Sequence, residues 1–283
     1  MHHQAALRSL FPNCRLSPAG SAVEQRQERR IQAAPEVSNR GASEVTNGLC
    51  KVMLICGLQK NTLIDFPGRL AATVFLSGCN FRCPWCYSKE LVLPQNIETQ
   101  PKISEKQFFD FLKERQDLLS GVVVCGGEPT IHQELPQFIK KIKKLKYPVK
   151  LDTNGSNPRA LQGLFKDRLL DYVAMDIKQQ NQKYNEATGI KIDLVKIKES
   201  VELIKNSGID YEFRTTVVPT IHTKQDIIEI AKWLSPAKRY YLQNFRPEKT
   251  INPEFETQRP YLNEELLDIQ KAIVPLFEVC ETR

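Results

Sequence analysis

Three cysteines lie within eight residues of this chain, Cys79, Cys83 and Cys86, with the spacing C-x3-C-x2-C. Iron–sulfur clusters are held by cysteine thiolates, and a [4Fe–4S] cluster that serves only electron transfer normally has four of them. Three ligands leave one iron of such a cluster open, so that a small molecule can bind there. The spacing therefore predicts a catalytic [4Fe–4S] cluster with these three cysteines as its ligands.

A zinc site is the main alternative for this loop. Structural zinc usually has two paired sets of ligands, whereas the other cysteines are isolated in the sequence and His132 and His222 stand alone. A disulfide framework would require an oxidising compartment and typically a small chain. The alternative to an enzyme is therefore a binding protein, either a zinc-bound adaptor or a nucleic-acid-binding module that uses a basic helix.

Composition limits the possible partners of the protein. The chain has 283 residues with 41% hydrophobic content, enough for one good-sized core. No stretch approaches the ~18 consecutive apolar residues of a membrane span, and the net charge of +7 is spread along the chain. Thiolate ligands and unpaired cysteines favour a reducing, cytoplasmic location. The spread charge and the absence of a long apolar stretch lead us to expect neither a membrane nor a nucleic acid as partner. The lysine-rich run over residues 140–146 is interpreted as a solvated helix face, with docking of an acidic partner as the alternative.

The first 52 residues differ in kind from the rest. They are rich in Gln, Ala, Ser and Arg and have no periodic apolar pattern, so they cannot bury enough surface to become ordered. We expect a disordered or spurious N-terminal extension over residues 1–52, with a transit peptide as the alternative. Residues 53–283 are expected to form one domain that ends in a helix.

From Met53 on, apolar patterns of strand and helix type alternate. A β segment over residues 54–58 precedes six further predicted strands, and the last predicted element is a helix over 263–273. The six strands cover residues 71–76, 121–125, 149–153, 171–176, 211–218 and 239–243. Such repetition predicts a parallel sheet, and roughly 190 residues are too few for a complete eight-fold barrel. We therefore predict an α/β fold of the partial (β/α)6 barrel type, with its chemistry at the carboxyl ends of the strands.

Polar or glycine-rich runs follow three of these strands. Gly126-Gly127-Glu128 comes after the second strand, and glycine allows backbone to approach a ligand closely. Asp152-Thr153-Asn154 ends the third strand with groups that bind hydroxyls and amines, although an Asx turn is the alternative. Asp176-Ile177-Lys178 ends the fourth strand, and its charges either pair internally or face a bound cofactor. Arg214 can bind a carboxylate bidentately, or it can form a structural ion pair with a strand-end acid.

The cysteine loop, with Trp85 directly before its last cysteine, is similar to the loop of radical S-adenosylmethionine (radical SAM) enzymes. The resemblance implies that the open iron chelates the methionyl group of S-adenosylmethionine, whose reductive cleavage yields a 5′-deoxyadenosyl radical. It implies that Trp85, Gly126, Gly127, Glu128, Asp152, Thr153, Asn154 and Arg214 form the cofactor pocket. Cys125 departs from the family pattern, in which Ser or Thr is more usual, and is interpreted as strand packing.

Two further runs, Asn61 to Gly68 and Phe75 to Tyr87, resemble the activating enzymes of glycyl radical proteins. Among these, the longer type of anaerobic ribonucleoside-triphosphate reductase activating protein is most similar. The resemblance implies a glycyl radical protein, such as anaerobic ribonucleotide reductase, as partner and a flavodoxin or ferredoxin as electron donor. A radical SAM enzyme that modifies a peptide or a small molecule, as a deazaguanine synthase does, is the alternative within the same chemistry.

Overall fold

The computed structural model describes residues 53–283. The predictions for residues 1–52, including the disorder, lie outside this part of the chain. Eight strands form one sheet, in which each strand lies beside its sequence neighbours in the order β1 to β8. The strands are β1 Ile55–Thr62, β2 Ala71–Leu76, β3 Gly121–Gly126, β4 Val149–Thr153, β5 Tyr172–Asp176, β6 Asp210–Val217, β7 Ala237–Asn244 and β8 Phe277–Thr282.

Helices connect the strands from β2 onward. Short 3₁₀ turns over Pro129–Ile131, Asn181–Lys183, Pro253–Thr257 and Val274–Leu276 complete the connections. In the part of the chain that the structure describes, no helix has the length and apolar character needed to cross a bilayer. The helices are α1 Lys89–Val92, α2 Pro94–Thr99, α3 Glu105–Glu114, α4 Leu135–Lys144, α5 Pro158–Lys166, α6 Tyr184–Thr188, α7 Leu194–Lys205, α8 Lys224–Leu234 and α9 Asn263–Ile273.

The strand pairing confirms the prediction of an α/β fold built on a partial (β/α)6 barrel. Strands β2 to β7 are the six predicted strands, and each pairs in parallel with the next. Strand β1 extends the sheet at one edge, antiparallel to β2, and β8 extends it at the other, parallel to β7. Strand β8 was not predicted, since the predicted elements ended with the helix that became α9.

Local sequence signals account for the start of two helices. Ser104 accepts a hydrogen bond from the Gln107 backbone N–H, and the Gln107 side chain accepts one from the Ser104 backbone N–H. This is a capping box at the start of α3, and it satisfies two backbone donors at the helix N-terminus. Thr223 and Asp226 form the same arrangement at the start of α8.

The two faces of the sheet carry different residues, because alternate side chains of a strand point to opposite sides. Val122 and Val124 of β3 belong to the large hydrophobic core shared with the helices. Val123 belongs instead to a small cluster on the opposite face, together with Phe66 and Tyr172. The helix-free face therefore has little apolar filling and leaves room for polar side chains, which form the site described next.

Candidate active site

Cys79, Cys83 and Cys86 lie in the loop after β2 and line one cavity of about 280 Å³. The cavity is at the carboxyl ends of the parallel strands, since Gly126, Thr153, Asp176 and other strand-end residues also line it. The full lining consists of Asp65, Cys79, Phe81, Cys83, Trp85, Cys86, Tyr87, Ser88, Val92, Cys125, Gly126, Gly127, Asp152, Thr153, Asn154, Asp176, Lys178, Arg214, Thr216 and Gln243.

Hydrogen bonds within the cysteine loop hold its shape. The Cys86 backbone N–H donates to the Cys83 carbonyl at 3.0 Å, and the Phe81 N–H donates to the Cys79 Sγ at 3.3 Å. The Arg82 guanidinium donates to the carbonyls of Cys79 and Phe81 at 2.6 and 2.7 Å. These bonds leave all three thiols in the same cavity.

Two remote segments hold the loop from outside, and we call them the two clamps. The first clamp is residues 188–189: the Arg82 N–H donates to the Thr188 carbonyl at 2.9 Å. The second clamp is residues 250–252: the Ile251 N–H donates to the Cys86 carbonyl at 3.0 Å, and the N–H of residue 252 donates to the carbonyl of residue 84 at 2.9 Å. Neither clamp was predicted, because no local pattern in the sequence marks these contacts.

The donor set fits an iron–sulfur cluster. Burial raises the pKa of Cys79 and of Cys83 to about 12 and also raises that of Cys86, while the Lys178 ammonium opposes the increase at Cys83 and Cys86. Cysteine thiolates that face one cavity hold such clusters, and an N–H bonded to a sulfur is one of the contacts that tune them. Within residues 53–283, no group of three or more His, Cys, Asp or Glu side chains is placed to hold a single metal ion. Cys280 is a buried free thiol that does not line the cavity.

Gly126 and Gly127 line the cavity, but the backbone of the loop after β2 explains why both are glycine. A Cβ on Gly126, where φ is +133°, would lie 2.1 Å from the Leu76 carbonyl oxygen, and one on Gly127 would lie 1.9 Å from the Gly78 carbonyl oxygen. The Gly127 N–H donates to Leu76 at 2.9 Å, and the Glu128 N–H donates to Gly78 at 2.7 Å. The glycines therefore let two strand ends meet, and their approach to a ligand stays a prediction.

Glu128 is fully buried and does not line the cavity. Its carboxylate accepts hydrogen bonds from the Thr153 hydroxyl at 2.7 Å, from the Asn154 N–H at 2.6 Å and from the N–H and hydroxyl of Thr130. Burial raises the pKa of Glu128, and these hydrogen bonds oppose the increase. The carboxylate thus ties the end of β3 to the end of β4, and its contact with a cofactor stays a prediction.

Asp152, Thr153 and Asn154 all face the cavity. The Asn154 Oδ1 accepts a hydrogen bond from the Ser156 N–H at 2.9 Å, which is the Asx turn considered from the sequence. The Asn154 Nδ2 donates to the Asn80 Oδ1 at 2.9 Å and lies 3.9 Å from the Cys79 sulfur. The turn directs this side chain toward the cysteine loop, and its contact with a bound cofactor stays a prediction.

Arg214 forms the ion pairs that the sequence left open as an alternative. Its Nη1 lies 3.0 Å from Asp152 Oδ2, and its Nε lies 2.8 Å from Asp176 Oδ1. Burial raises the pKa of Asp176, but Arg214 and Lys178 outweigh this effect and lower it to about 2. Asp152 also pairs with buried Lys150. The guanidinium lines the cavity while it bridges two acids, and its binding of a cofactor carboxylate stays a prediction.

Trp85 is buried, lines the cavity and meets the ring of His222 edge to face, with 6.0 Å between ring centroids. The sequence assigned no role to His222. It also did not indicate Thr216 and Gln243, which lie near the carboxyl ends of β6 and β7 and line the cavity. The rule that strand ends carry the chemistry could have identified them. Tyr87, half-exposed at 50%, also lines the cavity and was missed.

The lysine-rich run has the surface role that the sequence favoured. Lys140 lies 2.8 Å from Asp167 and Lys143 lies 2.7 Å from Asp171. Lys141 is paired with Glu105. Neighbouring acids thus balance three of these lysines on the surface of α4, which fits a solvated helix face.

Comparison with known proteins gives a match to the family described as the radical SAM superfamily over residues 73–234. A candidate glycyl-radical enzyme activating enzyme of Methanocaldococcus jannaschii is 34% identical over 211 residues, which are 72% of this chain and 84% of that protein. The anaerobic ribonucleoside-triphosphate reductase-activating protein of Escherichia coli is 27% identical over 84 residues, 30% of this chain and 54% of that one.

Among solved structures, Streptococcus suis SuiB bound to S-adenosylmethionine matches with a TM-score of 0.57 and 14% sequence identity. The match covers 73% of this chain and 51% of SuiB. At this identity the likeness concerns the fold alone.

Proposed function

Because this chain belongs to the radical SAM superfamily, whose members use a [4Fe–4S] cluster and S-adenosylmethionine, we propose that it activates a glycyl radical enzyme. In this proposal the partner is an anaerobic ribonucleoside-triphosphate reductase, and a flavodoxin or ferredoxin delivers the electron. The observation that carries the proposal is the similarity to the Methanocaldococcus activating enzyme, because it extends over 84% of that protein's length. The E. coli reductase-activating relative supports the choice of partner.

Each group of cavity residues has a task in this proposal. Cys79, Cys83 and Cys86 hold the cluster, and Asp152 to Asn154 with Arg214 form the polar wall for S-adenosylmethionine. With the cluster bound, one electron from the donor, S-adenosylmethionine and a glycine Cα–H of the partner would give methionine, 5′-deoxyadenosine and a glycyl radical. The protein contributes placement of these groups, and transfer of a hydrogen atom requires no acid–base pair.

The cavity rim suits a macromolecular substrate. Tyr87 lines the cavity and is 50% exposed, so one wall of the site is in contact with solvent. A loop of a partner protein could reach the cavity along this side chain. An enclosed small-molecule site would instead bury its rim.

The test is an anaerobic assay with the reconstituted full chain, dithionite, S-adenosylmethionine and a purified anaerobic ribonucleoside-triphosphate reductase from the same organism. We expect a glycine-centred EPR doublet on the reductase, about one 5′-deoxyadenosine per radical formed, and cleavage of the reductase at that glycine on exposure to oxygen. Cys83→Ala should abolish the signal. The matched variant Cys280→Ala should keep it, since this thiol is outside the cavity.

The alternative is a radical SAM enzyme that acts on a small molecule or a peptide. Turnover of a small heterocycle or peptide, with S-adenosylmethionine cleaved and no glycyl signal on the reductase, would refute the activating function and leave the family chemistry intact.

A further inference from the structure

His222 has no exposed surface, and both of its ring nitrogens are hydrogen-bonded. The Val218 backbone N–H donates to Nδ1 at 3.1 Å, so Nδ1 is an acceptor and the proton of the neutral ring is on Nε2. Nε2 lies 2.8 Å from the Lys178 carbonyl oxygen and donates to it. The tautomer of this histidine is therefore determined by its two backbone partners.

The ring of His222 lies between two parts of the cavity wall. On one side its edge-to-face contact with Trp85 reaches the cysteine loop. On the other side its hydrogen bond holds the backbone of Lys178, while the Lys178 N–H donates to the buried hydroxyl of Tyr184 at 3.3 Å. The Lys178 backbone is thus held at both its N–H and its carbonyl by buried side chains.

The Lys178 ammonium faces the cavity that Cys83 and Cys86 line. It lies 3.2 Å from Asp176 Oδ2, which restricts its position further. Burial lowers the pKa of His222 to about 4, although neighbouring Asp226 opposes this decrease, so the histidine is neutral near pH 7. Of these two residues, Lys178 therefore carries the positive charge, and the neutral His222 holds the Lys178 backbone through its hydrogen bond.

We propose that His222 is a positioning residue that holds the Lys178 ammonium beside the cluster and thereby raises the cluster's reduction potential. Reduction adds one negative charge to a cluster, and a fixed cation near two of its thiolates stabilises that added charge. Hydrogen bonds and charges around the ligands are known means of setting such potentials. The inference concerns the cluster itself and does not depend on which partner the protein activates.

The test is the midpoint potential of the reconstituted cluster, measured by EPR-monitored redox titration of the full chain without S-adenosylmethionine. Lys178→Met should shift the potential to a more negative value. His222→Phe, which keeps an aromatic ring against Trp85 but removes both hydrogen bonds, should shift it in the same direction. His222→Gln can still donate to the Lys178 carbonyl and should remain near the wild-type potential.

The double variant gives the decisive comparison. If His222 acts through Lys178, then His222→Phe combined with Lys178→Met should have the potential of Lys178→Met alone. Lys140→Met, which removes one positive charge from the surface ion pair with Asp167, is the matched control and should leave the potential unchanged.

Three results would overturn the inference: a wild-type potential in Lys178→Met, a wild-type potential in iron-loaded His222→Phe, or fully additive shifts in the double variant. If His222→Phe binds no iron or does not fold, as judged by circular dichroism, His222→Leu replaces it in both comparisons, since it removes the same two hydrogen bonds. A wild-type potential in iron-loaded His222→Leu would then overturn the inference.

Discussion

Replacement of Gly189 by alanine tests whether the first clamp is needed for the cluster. Gly189 has φ +68°, and a Cβ at this position would lie 2.3 Å from the Arg82 carbonyl oxygen and 3.0 Å from its carbon. Arg82 is part of the cysteine loop, and its N–H is bonded to the Thr188 carbonyl at 2.9 Å. The added methyl group should therefore push the loop away from the clamp and break this hydrogen bond.

The expected magnitude has two parts. An alanine held in the left-handed region costs about 1–2 kcal/mol of folding free energy. The contact between the added Cβ and the Arg82 carbonyl oxygen must lengthen to an ordinary distance of about 3.5 Å, so the loop must move by roughly 1 Å. Loss of the hydrogen bond then removes about 0.5–1.5 kcal/mol more of the folding free energy. We expect a total loss of about 1.5–3.5 kcal/mol of folding free energy from these two contributions.

Gly208 provides the matched control, since its φ is +77° and a Cβ there would have no atom within 4 Å. Gly208→Ala should therefore show only the backbone contribution of about 1–2 kcal/mol, and the reduced freedom of the unfolded chain is the same in both variants. The assays are urea unfolding of the apo proteins and the iron and sulfide content after anaerobic reconstitution. Gly189→Ala should lose iron, and Gly208→Ala should bind as much as the wild type.

Equal unfolding free energies and equal iron contents in the two variants would refute the reasoning. That outcome would mean that the cysteine loop keeps its shape without the first clamp, and that the close contact at Arg82 is relieved by a small backbone adjustment.

Three other measurements test the remaining geometry. Gly127→Ala should lower the iron content, because its Cβ would lie 1.9 Å from the carbonyl oxygen of Gly78, the residue before the proposed ligand Cys79. Arg214→Met should lower the unfolding free energy by about 1–3 kcal/mol, because two partly buried carboxylates each lose one of their two cationic partners, whereas Lys106→Met, at an exposed pair, should have little effect. Burial lowers the pKa of His222 from 6.5 to about 4, so the unfolded state takes up the proton first as pH falls. The stabilisation from this group is complete above pH 6.5 and should decline by about 3 kcal/mol on acidification to pH 4, a step that urea unfolding of His222→Gln should lack. No difference between these two pH profiles would contradict the assignment of a neutral buried ring.

The convergence of the cysteine loop with Asp152 and Arg214 could be predicted because parallel strands bring their carboxyl ends to one edge of the sheet. Strand β8 offered no such signal, because its burial does not alternate: exposed Glu278 and buried Cys280 are two residues apart, and exposed Glu281 follows directly.

The roles of Glu128 and the two clamps depend on contacts between segments that are far apart in the sequence. Glu128 follows a glycine pair and resembles a ligand-binding residue, yet its hydrogen-bond partners Thr153 and Asn154 are on another strand. Gly127 likewise avoids a backbone atom of Gly78. A single sequence contains no information on such distances, so residue type alone could not predict these contacts between strands.

The two clamps also bear on how the protein acquires its metal during synthesis. The cysteine loop ends at Cys86, whereas its clamps come from residues 188–189 and 250–252. At about 5–20 residues per second, a ribosome needs on the order of ten seconds to make the intervening chain. During that interval the three thiols belong to an unsupported segment and are open to oxidation. Iron insertion is therefore expected to follow completion of the sheet, so that the cell has to deliver the cluster to a folded apoprotein.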